Sequence, residues 1–390
     1  MNTYRKRLGV YFFFLIILCC IWAGAASASE PTDKQKNPYH VDKAVIIEVL
    51  EDHSKPQEQH TLTHGYKLVK LKILSGERKG KIFETSAMLS VVPGHGVDAK
   101  PGVKVLVRFR GGKGDKARAY IVSYNREQYV YGIVAIFFIL LLIIGKKTGL
   151  KSILSLNFTL LLIFLVLLPL LKNGYDPIFA SITTAFAINI IVFLILTGFT
   201  RKSFTAILGT CFGVASAGLA AFIIGILSHT TGIPFEEARV LYFKQAGMPL
   251  DFRGLVFAGV LIGSLGAVMD VGMSIASALE ELQAYNPKIP ARQLFNSGMN
   301  VGKDIMGTMS NTLILAYVGG SVSYLLLLLK LGRPYELIIS SNLIVGEIIQ
   351  GIAGAIGIIL AVPFTAFAAA YLSKSKKLKK KVENDFRGGA

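Results

Sequence analysis

GSLGAVMDVGMSIASALEEL (263–282) and NSGMNVGKDIMGTMSNTLILAYVGGS (296–321) decide the reading of this chain. Both stretches are apolar enough to lie in a membrane, yet each carries a carboxylate, Asp270 and Asp304. A charged side chain at the centre of a bilayer costs about 2.5 kcal/mol or more on insertion scales. Such a group needs a partner or water, and by default it marks an ion, proton or substrate path.

Spacing sharpens the point. Ala267, Asp270, Ser274, Ser277 and Glu281 recur at helical intervals and share one face. Asn300, Asp304, Gly307 and Asn311 do the same in the next apolar segment, with Thr308 beside them. The spans read as 254–279 and 304–329, antiparallel and joined on the inner side. That places Asn311 about seven residues inside its span, about 10 Å at the helical rise, and Asp270 about 15 Å from the inner end of its own. The two polar faces are at comparable depth and can meet. Gly259, Gly263 and Ala267 would let another backbone come close. A further span, 340–372, repeats the theme with Asn342, Glu347 and Gln350 among Gly346, Gly351, Gly354 and Gly357, and Pro363 is a kink site. Asn189 is a lesser candidate in an earlier span. The competing reading makes these groups interhelical glue, at about 0.6 kcal/mol per hydrogen bond. For Asp304, beside Lys303, it makes a carboxylate at a helix N-terminus facing inner water.

Working outward, the whole chain agrees with a membrane setting. Its 390 residues are 52% hydrophobic and 17% charged, with a mean hydropathy of +0.53. This belongs to the polytopic membrane class. The net charge of +18 does not point to nucleic acid, because the basic residues sit in short loops and at the two ends. Seven apolar segments read as spans: 129–145, 152–171, 176–199, 203–228, 254–279, 304–329 and 340–372. Lys146, Lys147, Lys151, Arg201, Lys202, Lys288, Arg292 and Lys303 then fall inside, as does the basic tail 374–390. The outer loop 229–253 departs from this bias and reads as carrying a surface-lying amphipathic helix.

The first 29 residues read as a signal peptide or an uncleaved signal anchor: Arg5-Lys6-Arg7, an apolar run, then Ala26-Ser27-Ala28. Residues 30–127 change period from helical to two. Strands are expected at Lys43–Leu50, Tyr66–Leu74, Lys81–Leu89, Val103–Phe109 and Ala119–Tyr124, with turns at Ser75-Gly76, Pro93-Gly94, Pro101-Gly102 and Gly111-Gly112. Five short strands in under a hundred residues predict a small barrel of the OB or SH3-like kind, with no cysteine of its own.

Motifs for chemistry are missing. Gly298-Met299-Asn300-Val301-Gly302-Lys303-Asp304 has the wrong glycine spacing for a phosphate loop and no hydroxyl after the lysine. His60 and His64 have a metal-like spacing but stand in a loop with no cysteine or carboxylate to complete a set. The expectation is a non-enzyme with no metal site and no cofactor.

GAVMDVGMSIASAL (266–279) and SGMNVGKDIMGTMSNTLILAYVGG (297–320), with a small exported domain ahead of several spans, resemble the bacterial YibE/F-like membrane proteins. The resemblance covers about 129 to 372 and, more loosely, the β domain. It implies a polytopic bacterial membrane protein and brings no substrate. Lys303 stands where the family pattern more often has arginine.

The expected fold is therefore a membrane all-α bundle of about seven transmembrane helices (128–373) with an N-terminal exported small all-β domain (30–127). The expected location is the bacterial plasma membrane, with the β domain outside and the C-terminus in the cytoplasm. The expected function is a permease or ion-coupled transporter. Asp270 carries the proton or cation; Asn311, Ser274 and Asp304 orient it; Ser277 and Asn300 are further pathway candidates; Glu347 and Gln350 form a second layer. The rival is a non-transporting receptor or assembly factor whose β domain binds an outer ligand or partner. The expected partners are the lipid bilayer, a proton or cation, that outer ligand, and a homo- or hetero-oligomer; nucleic acid is not among them.

Overall fold

The computed structural model describes residues 41–54, 63–90, 96–110, 118–230 and 251–387, with side chains to 373. The signal segment, His40, His60, His95, the turns at 93–94 and 111–112, and most of loop 229–253 lie outside the described residues, and His64, expected in a loop, falls in the second strand. The chain divides into two compact units, 1–140 and 141–390.

The first unit holds five strands, β1 (Val41–Ser54), β2 (Thr63–Ile73), β3 (Ile82–Ser90), β4 (Lys104–Arg110) and β5 (Arg118–Tyr124), all five where the alternation predicts them. They form one antiparallel sheet in the order β3-β2-β1-β4-β5. β1 is long enough to pair with both β2 and β4, and its register shifts after Ile46 and Val49 let it bend. The sheet curls into a half-barrel. Thr85 Oγ1 donates to Ala119 O at 2.5 Å, a buried side-chain bond from β3 to β5. Inward positions follow the period of two: Ala44 and Ile46, Val69, Leu71 and Ile73, then Val105 and Val107 are buried. The Ser75-Gly76 turn closes over the buried Asp42, and Gly76 has φ +78°. At Glu127 a helix begins, tied to the sheet by an ion pair from Lys43, by Lys104 donating to Gln128 at 3.0 Å and by Asn125 accepting from the Glu127 N–H at 3.1 Å.

One ionic cluster on this domain sets a pH response. Lys67 lies 3.2 Å from Asp98 and 3.3 Å from Asp52, and Lys100 lies 2.8 Å from Asp98. The hydrogen bond to Asp98 holds the Lys67 ammonium above its ordinary value. The hydrogen bond from Lys100, then that from Lys67, holds the Asp98 carboxyl below the usual range. The depressed acid stabilises the fold only above its unfolded pKa of about 3.9, and this is lost as pH falls through the lower folded value. The raised lysine stabilises below its unfolded pKa of about 10.4, and this is lost as pH rises through the higher folded value. Pairs this exposed are worth about 1 kcal/mol or less. In the fragment 30–127, the melting temperature of Lys67→Met is expected to lie a few degrees below that of the parent between about pH 5 and 9. The gap should close toward both extremes; a gap that does not change with pH would show that the lysine acts through packing of its stem alone.

The second unit is helical, and among the described residues of the chain six helices are long and apolar enough to cross a membrane. The first two of the seven expected spans, 129–145 and 152–171, fall within one of these helices. Residues 127–172 run as one 46-residue helical stretch. It comprises α1 (Glu127–Leu162), a π-helical turn (Ile163–Leu167) and α2 (Leu168–Lys172). The π turn precedes Pro169, whose missing N–H the irregular ladder accommodates. Two helices are run together inside α1 across a kink at Lys146 (φ 46°, ψ −119°). The chain reverses there: a Cβ on Gly149 would overlap the carbonyl of Leu141 and lie 2.8 Å from its carbon. In an unbroken helix residues this far apart are separated by about 12 Å.

α3 (Pro177–Thr197) starts on Asp176, which accepts from the Phe179 N–H at 2.8 Å, and stops at Gly198 (φ 73°). α4 (Arg201–Leu227) is capped by Thr200, which accepts from the Ser203 N–H at 3.2 Å. Then come α5 (Phe252–Tyr285), α6 (Ala291–Lys330), the short α7 (Tyr335–Ile339) and α8 (Asn342–Arg387), which runs through Pro363. α8 packs most extensively on α4, then on α6 and α5. Its apolar window is 61% buried, against 11% for α6, so α8 is the axis of the bundle and α6 its rim. The α4–α8 crossing is made by bare backbone: a Cβ on Gly213 would lie 2.9 Å from Gly357 O, and one on Gly357 would lie 2.8 Å from Gly213 O.

Candidate functional site

α5 and α6 form an antiparallel pair around the turn at Pro287-Lys288. Near that turn Gly298 meets Leu279 and farther away Gly263 meets the Tyr317 hydroxyl. α6 begins at Ala291 and α5 ends at Tyr285. The helices therefore extend past the expected span limits 304–329 and 254–279 at the ends that meet in this turn. Asp304 sits on the fourth turn of α6, so the reading of it as an N-terminal helix charge fails. Asn311 is deeper in its helix than the expected seven residues.

On α5, Val260, Leu261, Leu265, Val268, Met269, Val271, Ile275 and Ala276 are buried against the bundle. Its exposed stripe is Gly259, Gly263, Gly266, Asp270 and Ser274, with Gln350 of α8 and Tyr317 of α6 reaching Gly259 and Gly263 at one end. On α6 the exposed set includes Asn300, Lys303, Asp304, Gly307, Thr308, Asn311 and Thr312. The two polar faces thus lie on adjacent helices, as their spacing predicts. They point away from the bundle core, which periodicity alone does not determine. Among the described residues, no hydrogen bond or ion pair reaches the side chains of Asp270, Ser274, Asn300, Lys303, Asp304 or Asn311. Ser277 parts from the group: it is half-buried and its Oγ donates to Met273 O of its own helix at 2.7 Å.

Glu347 and Gln350 are half-buried on α8. Glu347 lines a cavity of about 290 Å³ between α6 and α8, together with Tyr317 and Ser321. Gln350 comes against α5 at Gly259, where a Cβ would lie 3.8 Å from its Oε1. Tyr317 escapes a search for ionisable groups in apolar segments. The signal available for it was Gly263, the small residue over which its hydroxyl lies. Asn189 is spent on packing: it is 1% exposed, accepts from Thr210 Oγ1 at 2.8 Å and donates to Cys211 Sγ at 3.1 Å, joining α3 to α4.

The ends of the helices sort into two sets. Lys202 lies 4.0 Å from Glu280, and Lys151 Nζ donates to Leu196 O at 2.9 Å. A cavity of about 350 Å³ is lined by Arg201, Lys202, Glu280, Gln283 and Ser373. These are the loops that charge bias assigns to the inner side. Ile178, Thr230, Asp251 and Arg253 share a different cavity, of about 280 Å³. No group of His, Cys, Asp and Glu suited to hold a metal occurs among the described residues.

The YibE/F-like protein family matches residues 133–375, from the first apolar helix through α8, and leaves the β half-barrel outside the match. No curated protein and no solved structure matches the chain. With most of its length covered by that match, and with six helices long and apolar enough to cross a membrane, the chain belongs to the YibE/F-like family.

Proposed function

We propose that this is a multi-pass membrane transporter of a proton or cation, with Asp270 as the group that carries it. The observation that carries the reading is the unpaired polar face shared by α5 and α6. Asp270, Ser274, Asn300, Asp304 and Asn311 make no bond that packing requires, whereas Asn189 does. Polar side chains left without partners at membrane depth are expensive and mark conduction paths. The receptor reading predicts a dry, fully paired stripe, and the contrast with Asn189 weighs against it. Glu347, Tyr317 and Gln350 provide a second polar layer reaching in toward α8.

The proposed topology follows from the sorting of helix ends. Both halves of α1 cross, with the reversal at Lys146 as the inner turn, which gives seven crossings and an extracytoplasmic β domain. That domain is read as OB-like: β3 touching β5 would complete a ring of the five strands in the order 1-2-3-5-4. The location is the bacterial plasma membrane, with the C-terminus in the cytoplasm.

Asp270→Asn keeps the shape of the side chain and its capacity to hydrogen-bond while removing its charge. In vesicles holding purified protein under an imposed pH gradient, it is expected to lower gradient-driven flux at least tenfold without loss of folded protein. Asp304→Asn, beside Lys303, should lower it less. Flux unchanged in Asp270→Asn would return the stripe to a packing role and favour the receptor reading.

A further inference from the structure

The outward faces of the bundle are of two kinds. On α4 the exposed side chains include Phe204, Leu208, Phe212, Leu219, Phe222 and Ile223, large and apolar as lipid requires. On α5 and α6 the exposed residues include Gly266, Asp270, Ser274, Lys303, Asp304, Gly307 and Asn311. Acyl chains cannot solvate the second face: each charge there costs a few kcal/mol. We infer that a second copy of this chain covers the α5–α6 face, with Asp270 of each copy opposite Lys303 of the other. The inference rests on reading these helices as membrane-spanning, and is independent of whether the protein transports.

Three observations choose this occupant. First, the charges are unmatched within the chain: among the described residues, Asp270, Lys303 and Asp304 have no ion-pair partner. Second, the face is open to close approach. Added Cβ atoms on Gly266 and Gly307 would meet nothing within 4 Å, and small residues let transmembrane backbones come together. Third, the face is self-complementary. Asp270 stands about 18 residues before Lys288 and Lys303 about 15 after it, so at about 1.5 Å per residue their depths differ by about 5 Å. A two-fold axis along the membrane normal keeps every residue at its depth and pairs i with j and j with i. Each interface therefore contains two Asp270–Lys303 contacts, with Asp304 beside them, and any water-filled path along the polar residues runs between two copies.

The test uses the full chain in lipid nanodiscs. With Cys19, Cys20 and Cys211 replaced by serine, oxidation of Gly307→Cys should yield a disulfide-linked dimer. Leu219→Cys, on the lipid-suited face of α4, should not. Asp270→Lys and Lys303→Asp should each reduce self-association at least tenfold, measured by co-purification of two differently tagged copies. Co-expressing an Asp270→Lys chain with a Lys303→Asp chain should restore it, because both contacts are then oppositely charged. A pair formed within one chain could not be rescued in this way. Lack of a Gly307→Cys cross-link, particles of one-chain mass, failure of the mixed pair to recover, or stoichiometric capture of a different membrane protein would each overturn the inference. A dimer without flux sinks the transport reading alone; a flux-competent monomer sinks only this one.

Discussion

Gly357→Ala is expected to destabilise the membrane bundle, while Gly346→Ala on the same helix leaves it unchanged or slightly more stable. The two substitutions add the same methyl group to α8, and both gain up to about 1 kcal/mol of helix propensity. They differ in what the methyl meets. At Gly357 it lands 2.7 Å from the Ala217 methyl and 2.8 Å from Gly213 O, a backbone atom with no rotamer to change; at Gly346 it meets nothing within 4 Å. Relief requires α4 and α8 to separate, and this is the most extensive helix contact in the bundle. Overpacking of this kind costs about 1–3 kcal/mol for small insertions, and Gly357→Leu should leave no monodisperse protein after detergent extraction. Thermal unfolding of the purified variants, read by size-exclusion chromatography, measures both. Equal stability of Gly357→Ala and the parent would show that the α4–α8 crossing is looser than its geometry.

The second large effect lies in the β domain. Gly76→Val places a β-branched residue at φ +78° and pushes its Cβ to 2.7 Å from the carboxyl carbon of the buried Asp42. Strain and collision together should cost about 3 kcal/mol, and at about 4–8 °C per kcal/mol the fragment 30–127 should melt about 12–24 °C lower. Gly80→Val isolates the strain. It shares the positive φ, +87°, but a Cβ there meets nothing within 4 Å, so its loss should be about half as large. Circular dichroism melts of the three fragments decide; equal losses would mean that Asp42 yields to the intruding side chain.

What could be read from the sequence divides along physical lines. The strands were legible because Val105 and Val107 alternate with Lys104, Leu106 and Arg108, and a half-buried sheet needs that period. Helical spacing likewise put Asp270 and Ser274 on one face, and Asn300, Asp304 and Asn311 on another. It did not say which way those faces point, since a period defines a face and the direction depends on neighbours far along the chain. Ser277 fits the same spacing but turns its hydroxyl back to Met273 O. The start of α6 was missed because Ala291–Lys303 carries many polar residues. Hydropathy finds the apolar part of a helix, while the hydrogen-bond ladder continues past it. The junction in 127–172 is set by a single residue in an uncommon conformation, Lys146, which composition does not flag.

The place of α8 at the axis of the bundle also orders its assembly in time. α8 is made well after α4, its principal neighbour, is complete. Between Gly213 and Gly357 lie about 140 residues, about 7–28 s of synthesis at about 5–20 residues per second. For that interval the glycine groove of α4 has no mate, and the earlier helices lack the element on which α4 and α6 pack most. Closure of the bundle therefore waits for α8. A chain cut short before α8 should fail quality control as a whole, rather than persist as a smaller working protein.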